Sequence, residues 1–395
     1  VNFNSAFLGM ICVGLLSFAV SSFKGFSTRI ALVFLAVVNL YIAYSTDSIQ
    51  GPMIFLAGSV FVIIFRLKTS SFKLMRLSIF PFIFGSLIFL TLTILALLNQ
   101  GPLAKFIFQT SIILRGDYMH AGWAMMTHRP LFGVGLDSYG DWYRELRGEI
   151  TTLRGSSDRI ANTAHNIFLD IGASGGVVWF ICYVMLVVIG LWLGIKYLNK
   201  RKEFDHLFTA IFGMWIAYLT QALISINQVG LGVWGWVLHG MVIGYALVFK
   251  NQVLSDSSPL KVKKLRPKEE QVLPAKTAIS MFIAAAIGFV VAVIPVQADA
   301  SYKRATRAGD LEKLRIAVRT IGATAFHQEL VLDSALQSNL TDAAQGFAYE
   351  ILMNYPRDFF AWKVIAMTSP QGSTEQNQAL ENLRRLDPFN PEIPR

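Results

Sequence analysis

Charged residues are scarce in this sequence. Asp, Glu, Lys and Arg make up 15% of its 395 residues, whereas hydrophobic residues make up 54%. A soluble domain usually carries about 25% charged residues, so the scarcity excludes an ordinary soluble globular protein. Several uncharged runs reach the roughly 20 apolar residues that a helix needs to cross the hydrocarbon core of a bilayer. The composition therefore predicts a chain that lies largely in a membrane.

Cysteine and clustered metal ligands are equally scarce. The two cysteines, Cys12 and Cys182, both lie inside apolar runs, which excludes a disulfide framework and a zinc site. The longest loop, residues 99–165, contains neither an Asp-x-Asp nor a His-x-x-x-His pair. Because Mg²⁺ and Mn²⁺ favour clustered carboxylates, we expect chemistry without a metal and without another cofactor.

The apolar runs predict an all-α, polytopic membrane helix bundle with about eight spans. The run at 166–195 exceeds one perpendicular crossing, so we expect it to tilt or to begin outside the hydrocarbon. The eight candidate spans are residues 5–22, 30–45, 51–65, 77–98, 166–195, 207–225, 232–249 and 277–296.

The net charge of +10 is distributed in a pattern typical of membrane topology. Alternate connections between spans are basic, whereas the loops at 46–50 and 226–231 contain no Lys or Arg. The positive-inside rule places the basic loops in the cytoplasm and the 99–165 loop and C-terminal tail outside it. The charge thus requires no nucleic-acid partner. The basic residues are Lys24, Arg29, Arg66, Lys68, Lys73, Arg76, Lys196, Lys200, Arg201, Lys202, Lys250, Lys261, Lys263, Lys264, Arg266, Lys268 and Lys276.

These features divide the chain into four parts. Residues 1–98 and 166–296 are predicted to be transmembrane helices, 99–165 an extracytoplasmic loop with amphipathic helices and the candidate active site, and 297–395 an extracytoplasmic helical domain. In that domain, Pro356 and Pro388 lie 32 residues apart, which resembles the 34-residue period of tetratricopeptide repeats. Such repeats would offer a surface for a protein partner, and a plain helical cap is the alternative.

Two stretches of the long loop have helical periodicity. LRGDYMHAGWAMMTHRP ends at Pro130, which cannot continue a helix. In LDSYGDWYRELRGEI we expect Asp137 to cap a helix. The apolar stripe of that second helix is predicted to contain Trp142, Tyr143, Leu146 and Ile150, and its solvated face Arg144 and Arg147.

The same loop supplies cations and potential bases. An arginine guanidinium holds phosphate oxygens with two parallel hydrogen bonds, and histidine can accept a proton near neutral pH. A glycosyl diphosphate suits such a site. Plainer interpretations stay open, because His165 can be an interfacial residue or a helix cap, and Arg115 can pair with Asp117 or reach the headgroups. The basic residues and histidines are Lys105, Arg115, Arg129, Arg144, Arg147, Arg154, Arg159, His120, His128 and His165.

Two segments together resemble the signature of the bacterial O-antigen ligase and polymerase family. They are RGDYMHAGWAMMTHRPLFGVGLDSYGDWY and AHNIFLDIGASGGVVWF. The matching features are Arg115, Trp123, Pro-Leu-Phe-Gly-x-Gly, His165-Asn166 and a Gly-rich start of a helix. The opening NFNSAFLG resembles a segment that lies mid-chain in the family. Since the chain starts with Val1, we expect it to be a fragment from which earlier helices are missing.

The resemblance implies a GT-C-type membrane glycosyltransferase of the bacterial inner (cytoplasmic) membrane. It would move a glycan from undecaprenyl diphosphate to a hydroxyl, without metal and with inversion. His165 then corresponds to the general base, and Arg115 to an arginine that binds the diphosphate.

One position departs from the family pattern. Where relatives carry Ser-Arg-Gly, this chain reads SIQGP, and Gln50 can donate hydrogen bonds but brings no charge. Either Arg129 or Arg159 substitutes for that arginine, or the donor differs, or activity is lost. We also expect Asn166, beside His165, to contact substrate.

The function stays open in several respects. Ligase, polymerase and protein O-oligosaccharyltransferase share the chemistry and differ in a lipid, glycan or protein acceptor. A transporter or flippase of a lipid-linked glycan and an inactive membrane anchor for the repeat-like domain are the alternatives from other classes. Gln221 either lines a glycan groove or joins helices.

Overall fold

A computed structural model describes residues 2–21, 25–154, 157–256 and 275–394, and all regular secondary structure in these ranges is helical. This confirms the all-α prediction. The chain divides into two compact units, Val1–Thr151 with Arg159–Pro259, and Thr152–Asp158 with Leu260–Arg395.

The first unit contains the helices before residue 260. Their bounds are α1 (Asn2–Ala19), α2 (Phe26–Tyr44), α3 (Gln50–Lys68), α4 (Lys73–Leu77), α5 (Ile79–Leu97), α6 (Ala104–Ile107), α7 (Thr110–His128), α8 (Tyr139–Leu146), α9 (Glu149–Arg154, which runs into the second unit), α10 (Ile167–Lys200), α11 (His206–Ala222) and α12 (Val229–Asp256).

The second unit contains six further helices within the described ranges. They are α13 (Ala275–Ala308), α14 (Leu311–Ala317), α15 (Ala325–Gln337), α16 (Thr341–Asn354), α17 (Phe359–Thr368) and α18 (Thr374–Leu386).

Seven stretches of the described chain are long and apolar enough to cross a membrane, as judged by length and composition. They correspond to α1, α2, α3, α4 with α5, α10, α12 and α13, and they confirm a polytopic membrane protein. The eighth predicted span, 207–225, coincides with α11, which has 17 residues. At 1.5 Å per residue such a helix is about 25 Å long, slightly less than the hydrocarbon core.

Part of the predicted charge pattern cannot be placed in this structure. Lys24 and the basic residues between positions 257 and 274 lie outside the described residues. The side of the membrane that each loop faces therefore stays a prediction.

The core of the first unit forms where α11 packs against α1 and α3. A Cβ atom on Gly9 would lie 2.4 Å from the carbonyl oxygen of Gly51, so the backbones of α1 and α3 touch directly. Small residues at helix interfaces allow this close approach. The hydroxyl of Ser5 also accepts a hydrogen bond from the Gly51 amide at 3.1 Å. The first turn of α3, which begins at Gln50, is thereby fixed against α1.

The over-long predicted run at 166–195 is a helix with a break. Gly176 has φ 73° and ψ −171°, which separates a short first segment of α10 from the long apolar segment. The carbonyls of Ala173 and Ser174 accept hydrogen bonds from Val134 (2.8 Å) and Gly135 (3.1 Å), and the amide of Val177 donates to Pro130 (2.7 Å). The PLFGVG segment, residues 130–135, thus satisfies the backbone groups that the break exposes.

In the second unit, each helix from α15 to α18 packs against the next one along the chain. Leu332, Ile351, Ile365 and Leu383 lie in their shared core. The helices α16 and α18 each end two residues before one of the prolines whose spacing suggested a repeat. The tetratricopeptide-like character of these helix pairs stays a prediction.

Gly176 provides a test of the break. A Cβ atom there would lie 2.3 Å from the Leu131 carbonyl oxygen, and a left-handed non-glycine residue costs about 1–3 kcal/mol. We expect Gly176→Ala to lower the apparent unfolding temperature of the detergent-solubilised protein by several degrees. Gly244→Ala is the matched control, since a Cβ in that part of α12 meets nothing within 4 Å. Equal unfolding temperatures for the two variants would contradict the role of the break.

Candidate active site

The candidate site is built on the face of α7 that packs against α10. Ala121, Gly122 and Met125 are buried on that face. A Cβ atom on Gly122 would lie 2.9 Å from the Cβ of Ala164. The absence of a side chain at Gly122 therefore brings the segment before α10, which carries His165, directly against α7. The helix α7 ends at His128, as Pro130 predicted.

His165 is half-buried and has an unusual backbone conformation, with φ 53°. Its backbone amide donates to the hydroxyl of Thr163 at 3.3 Å. Its ring Nδ1 lies 3.2 Å from the same hydroxyl. The ring packs against Tyr118, with 5.0 Å between the ring centroids. These contacts occupy one face and one nitrogen of the imidazole.

Arg115 lies one helical turn before Tyr118 on α7 and is also half-buried. Burial lowers the pKa of His165, and the nearby charge of Arg115 lowers it further, while a hydrogen bond to the Thr163 backbone acts in the opposite direction. Burial also lowers the pKa of Arg115 itself. The structure thus brings the predicted base and the predicted anion-binding arginine together, and it favours the neutral form of the base.

Asn166 occupies the N-cap of α10. Its side-chain oxygen accepts from the Leu169 amide at 3.1 Å, and its Nδ2 donates to the Leu223 carbonyl, also at 3.1 Å. Both ends of the side chain therefore have structural partners. The second bond attaches the start of α10 to the residue that follows α11.

Gln50 lies near the same end of α11. Its side-chain oxygen accepts from Gln221 Nε2 at 2.9 Å, and each residue is 2% exposed. Gln50 Nε2 and Gln221 Oε1 have no hydrogen-bond partner among the described residues. The contact joins α3 to α11, which favours the interpretation of Gln221 as a helix-joining residue.

Arg129 and Arg159 lie around α8. The exposed Arg129 guanidinium is 5.3 Å from the centre of the Trp142 ring. The backbone carbonyl of Arg159, whose side chain is also exposed, accepts from Arg147 Nη1 at 2.8 Å. The structure gives no direct contact of either residue with His165.

The second predicted amphipathic stretch needs three corrections. Asp137 does not cap α8, because it has φ 57° and Ser138 occupies the N-cap. Ile150 does not share the stripe of α8, because that helix ends at Leu146 and Ile150 is exposed on α9. Arg147 is buried rather than solvated, since it packs 6.0 Å from the Tyr143 ring centre and donates to a backbone carbonyl.

An aromatic cluster beside His165 was not predicted from the sequence. The Tyr139 hydroxyl donates to the Tyr118 carbonyl at 2.5 Å, and the Tyr118 and Tyr143 rings are 5.8 Å apart. Burial raises the pKa of Tyr143 to about 12, so this hydroxyl stays protonated at neutral pH. The spacing of residues 139 and 143 matches one face of a helix, but their position beside α7 depends on tertiary packing.

Asp170, in the first turn of α10, was also not predicted as a site residue from the sequence. Its carboxylate oxygen accepts from the Ala164 amide at 2.5 Å. No trio of His, Cys, Asp or Glu side chains arranged to hold a metal occurs within the described ranges. Independence from metal stays a prediction.

Comparison with known families connects this geometry to a function. Residues 4–184 match the O-antigen ligase family model. Over this segment, the chain is similar to the O-antigen ligase family. The match includes all six predicted site residues, and it ends before α11, so residues 260–395 of the second unit lie outside it. No curated protein matches the chain significantly.

The match over this segment supports a coarse functional assignment. The O-antigen ligase and polymerase family consists of membrane glycosyltransferases of polysaccharide biosynthesis, and this implies lipid-linked glycan substrates. Together with the apolar helices, it identifies the chain as a multi-pass membrane protein.

Proposed function

We propose that the protein transfers a glycan from undecaprenyl diphosphate to a hydroxyl acceptor, as an O-antigen ligase or polymerase. The reaction would take place on the extracytoplasmic side of the bacterial inner membrane, without a metal. The main support is the packing of the half-buried His165 against Tyr118 of α7, one helical turn from Arg115, within the family-matched segment.

His165 serves as the general base. We assign the proton of its neutral ring to Nδ1, which lies beside Thr163, so that Nε2 keeps its lone pair. Nε2 takes the proton of the acceptor hydroxyl as the hydroxyl oxygen attacks the anomeric carbon. The bond from that carbon to the diphosphate breaks, and its electron pair leaves with undecaprenyl diphosphate. Attack opposite the leaving group inverts the anomeric centre.

Arg115 binds the diphosphate and stabilises the charge that grows on it as the bond breaks. In the free enzyme, the same guanidinium lowers the pKa of His165. Bound diphosphate would offset this positive charge, since an anion close to an imidazole favours its protonated form. Donor binding would therefore make His165 a stronger base when the acceptor is to be deprotonated.

The other predicted residues have supporting roles in this proposal. The exposed guanidinium groups of Arg129 and Arg159 are candidates for a second diphosphate contact in place of the expected arginine at position 50. Gln50 would contribute a neutral donor next to Gln221. Asn166 would contribute mainly by fixing the start of α10, since both ends of its side chain have partners.

A transporter or flippase of a lipid-linked glycan is the second candidate. The break in α10 favours it, because transporters commonly use broken helices to form substrate sites. Here, however, the exposed backbone groups at the break pair with residues 130–135. This pairing leaves fewer of them for a substrate and supports transfer over transport. An inactive membrane anchor is the remaining alternative.

If His165 is the base and Arg115 binds the diphosphate, substitution of either residue should abolish transfer. We expect His165→Ala and Arg115→Ala each to lower the transfer rate by about 100-fold or more while the protein still accumulates in the membrane. The measurement is release of undecaprenyl diphosphate from the lipid-linked glycan in proteoliposomes. His120→Ala, an exposed position on α7, is the matched control and should retain wild-type transfer.

Two results would contradict the proposal. Full transfer by both variants would remove His165 and Arg115 from the chemistry. Movement of the lipid-linked glycan across the bilayer by the wild type, without release of undecaprenyl diphosphate, would favour transport.

The pH dependence provides an independent prediction. Histidine acts as a base only when neutral, so transfer should fall as pH drops through the pKa of His165. Because burial and Arg115 lower that pKa, the acid limb of kcat/KM, which reports the free enzyme, should have its midpoint below about 6.5, the ordinary histidine value. A midpoint above that value, or an acid limb that persists unchanged in residual activity of His165→Ala, would contradict the assignment.

A further inference from the structure

His165 is held in a backbone conformation that non-glycine residues rarely adopt. Its φ of 53° lies in the left-handed region, which persists only where surrounding contacts enforce it. A base that must meet a bound substrate also needs a fixed position. The contacts that impose this conformation are therefore candidates for functional residues.

The strongest such contact comes from α10 itself. The chain reverses before the helix, so that Asp170, one turn inside it, accepts a hydrogen bond from the Ala164 amide at 2.5 Å. Ala164 is fully buried against Gly122 of α7. The Thr163–Ala164 peptide, one residue before His165, is thereby fixed by the carboxylate, and Ala164 itself packs against α7.

Tyr139 provides a second support for His165 through Tyr118. Burial raises the pKa of Tyr139, and the negative charge of Asp170 raises it further. Tyr139 therefore keeps its proton and donates to the Tyr118 carbonyl, and the Tyr118 ring packs against the imidazole. His165 is thus held by a backbone contact that involves Asp170 and by a ring contact with Tyr118.

We infer that Asp170 is a positioning residue that fixes His165 for proton transfer by accepting the Ala164 amide hydrogen bond. The inference rests on the proposed function, in which His165 is the base. Asp170 does not touch the substrate in this account. Its acceptor oxygen matters more than its charge, so asparagine, which keeps a side-chain oxygen, should replace it and leucine should not.

The test compares Asp170→Leu and Asp170→Asn in the proteoliposome transfer assay. Since a displacement of about 1 Å in a catalytic group can cost about 100-fold in rate, we expect Asp170→Leu to lower kcat by about that factor, with KM for the lipid-linked donor within about 3-fold of wild type. Asp170→Asn should retain kcat within about 3-fold. A purely structural role would lower the amount of folded protein without this selective effect on kcat.

Asp205→Leu is the matched control. Asp205 also accepts a backbone amide at the start of a helix, from Phe208 at 3.0 Å, but it caps α11 rather than supporting His165. We expect this variant to lose thermal stability and to keep the kcat of its folded fraction. Tyr139→Phe keeps the carboxylate and removes the bond to Tyr118, and we expect it to lower kcat by about 10-fold.

The outcomes separate the inference from the function on which it rests. Wild-type kcat for both Asp170→Leu and Tyr139→Phe, with His165→Ala inactive, would overturn the role of Asp170 and leave the proposed function intact. Equal loss in Asp170→Asn and Asp170→Leu would overturn the hydrogen-bond explanation. Full activity of His165→Ala would overturn the proposed function. If Asp170→Leu does not accumulate, retained kcat in Asp170→Asn with reduced kcat in Tyr139→Phe supports the inference, and any other combination contradicts it.

Discussion

Backbone hydrogen bonds across the break in α10 hold the candidate site together. In an apolar environment, every exposed backbone amide and carbonyl needs a partner, and residues 130–135 supply partners for the groups that Gly176 leaves open. The break lets a short first segment of α10 pack against α7 independently of the long apolar segment. That short segment begins after its N-cap Asn166 and carries Asp170, which accepts a hydrogen bond from the Ala164 amide. The PLFGVG segment and the glycines at the start of α10 are therefore two halves of one structural feature.

The electrostatics of the site follow from this packing. Because α7 packs against the segment that carries His165, Tyr118 contacts the imidazole, and the charge of Arg115, one turn earlier on α7, lowers the pKa of His165. A partly buried arginine near a neutral histidine is a costly arrangement, because burial disfavours the charge of the guanidinium and that charge disfavours protonation of the imidazole. A diphosphate would relieve that cost. Binding of a ligand with the negative charge of the proposed donor would therefore be electrostatically favourable at this site.

Gln50 affects which residues can provide a second contact to the diphosphate. The Gln50–Gln221 hydrogen bond joins α3 to α11, and Asn166 joins the end of α11 to the start of α10. Gln50 occupies the position where the family resemblance predicts an arginine. Here it is part of a neutral network between helices. Arg129 and Arg159 stay the predicted sources of a second cation for the diphosphate, and a different donor or loss of activity are the alternatives.

Much of the architecture could be predicted from the sequence, because long apolar runs and Pro130 act through local rules. The helical runs, the end of α7 and the order of the family motifs could be predicted in this way. The break at Gly176 was visible only as excess length, since a glycine in a run of small residues does not reveal its backbone conformation. The burial of Arg147, the support of His165 by Tyr118 and the reach of Asp170 to Ala164 depend on segments that meet only in the folded protein. The capping role expected of Asp137 was wrong because its own left-handed conformation moves the cap to Ser138.

An experimental structure with a bound, non-transferable undecaprenyl-diphosphate glycan tests the central claim most directly. The account predicts diphosphate oxygens within hydrogen-bonding distance, about 3 Å, of the Arg115 guanidinium, with the anomeric carbon facing His165 Nε2 and leaving room for one acceptor hydroxyl between them. A diphosphate bound away from Arg115, with His165 still packed on Tyr118 and remote from the anomeric carbon, would contradict it.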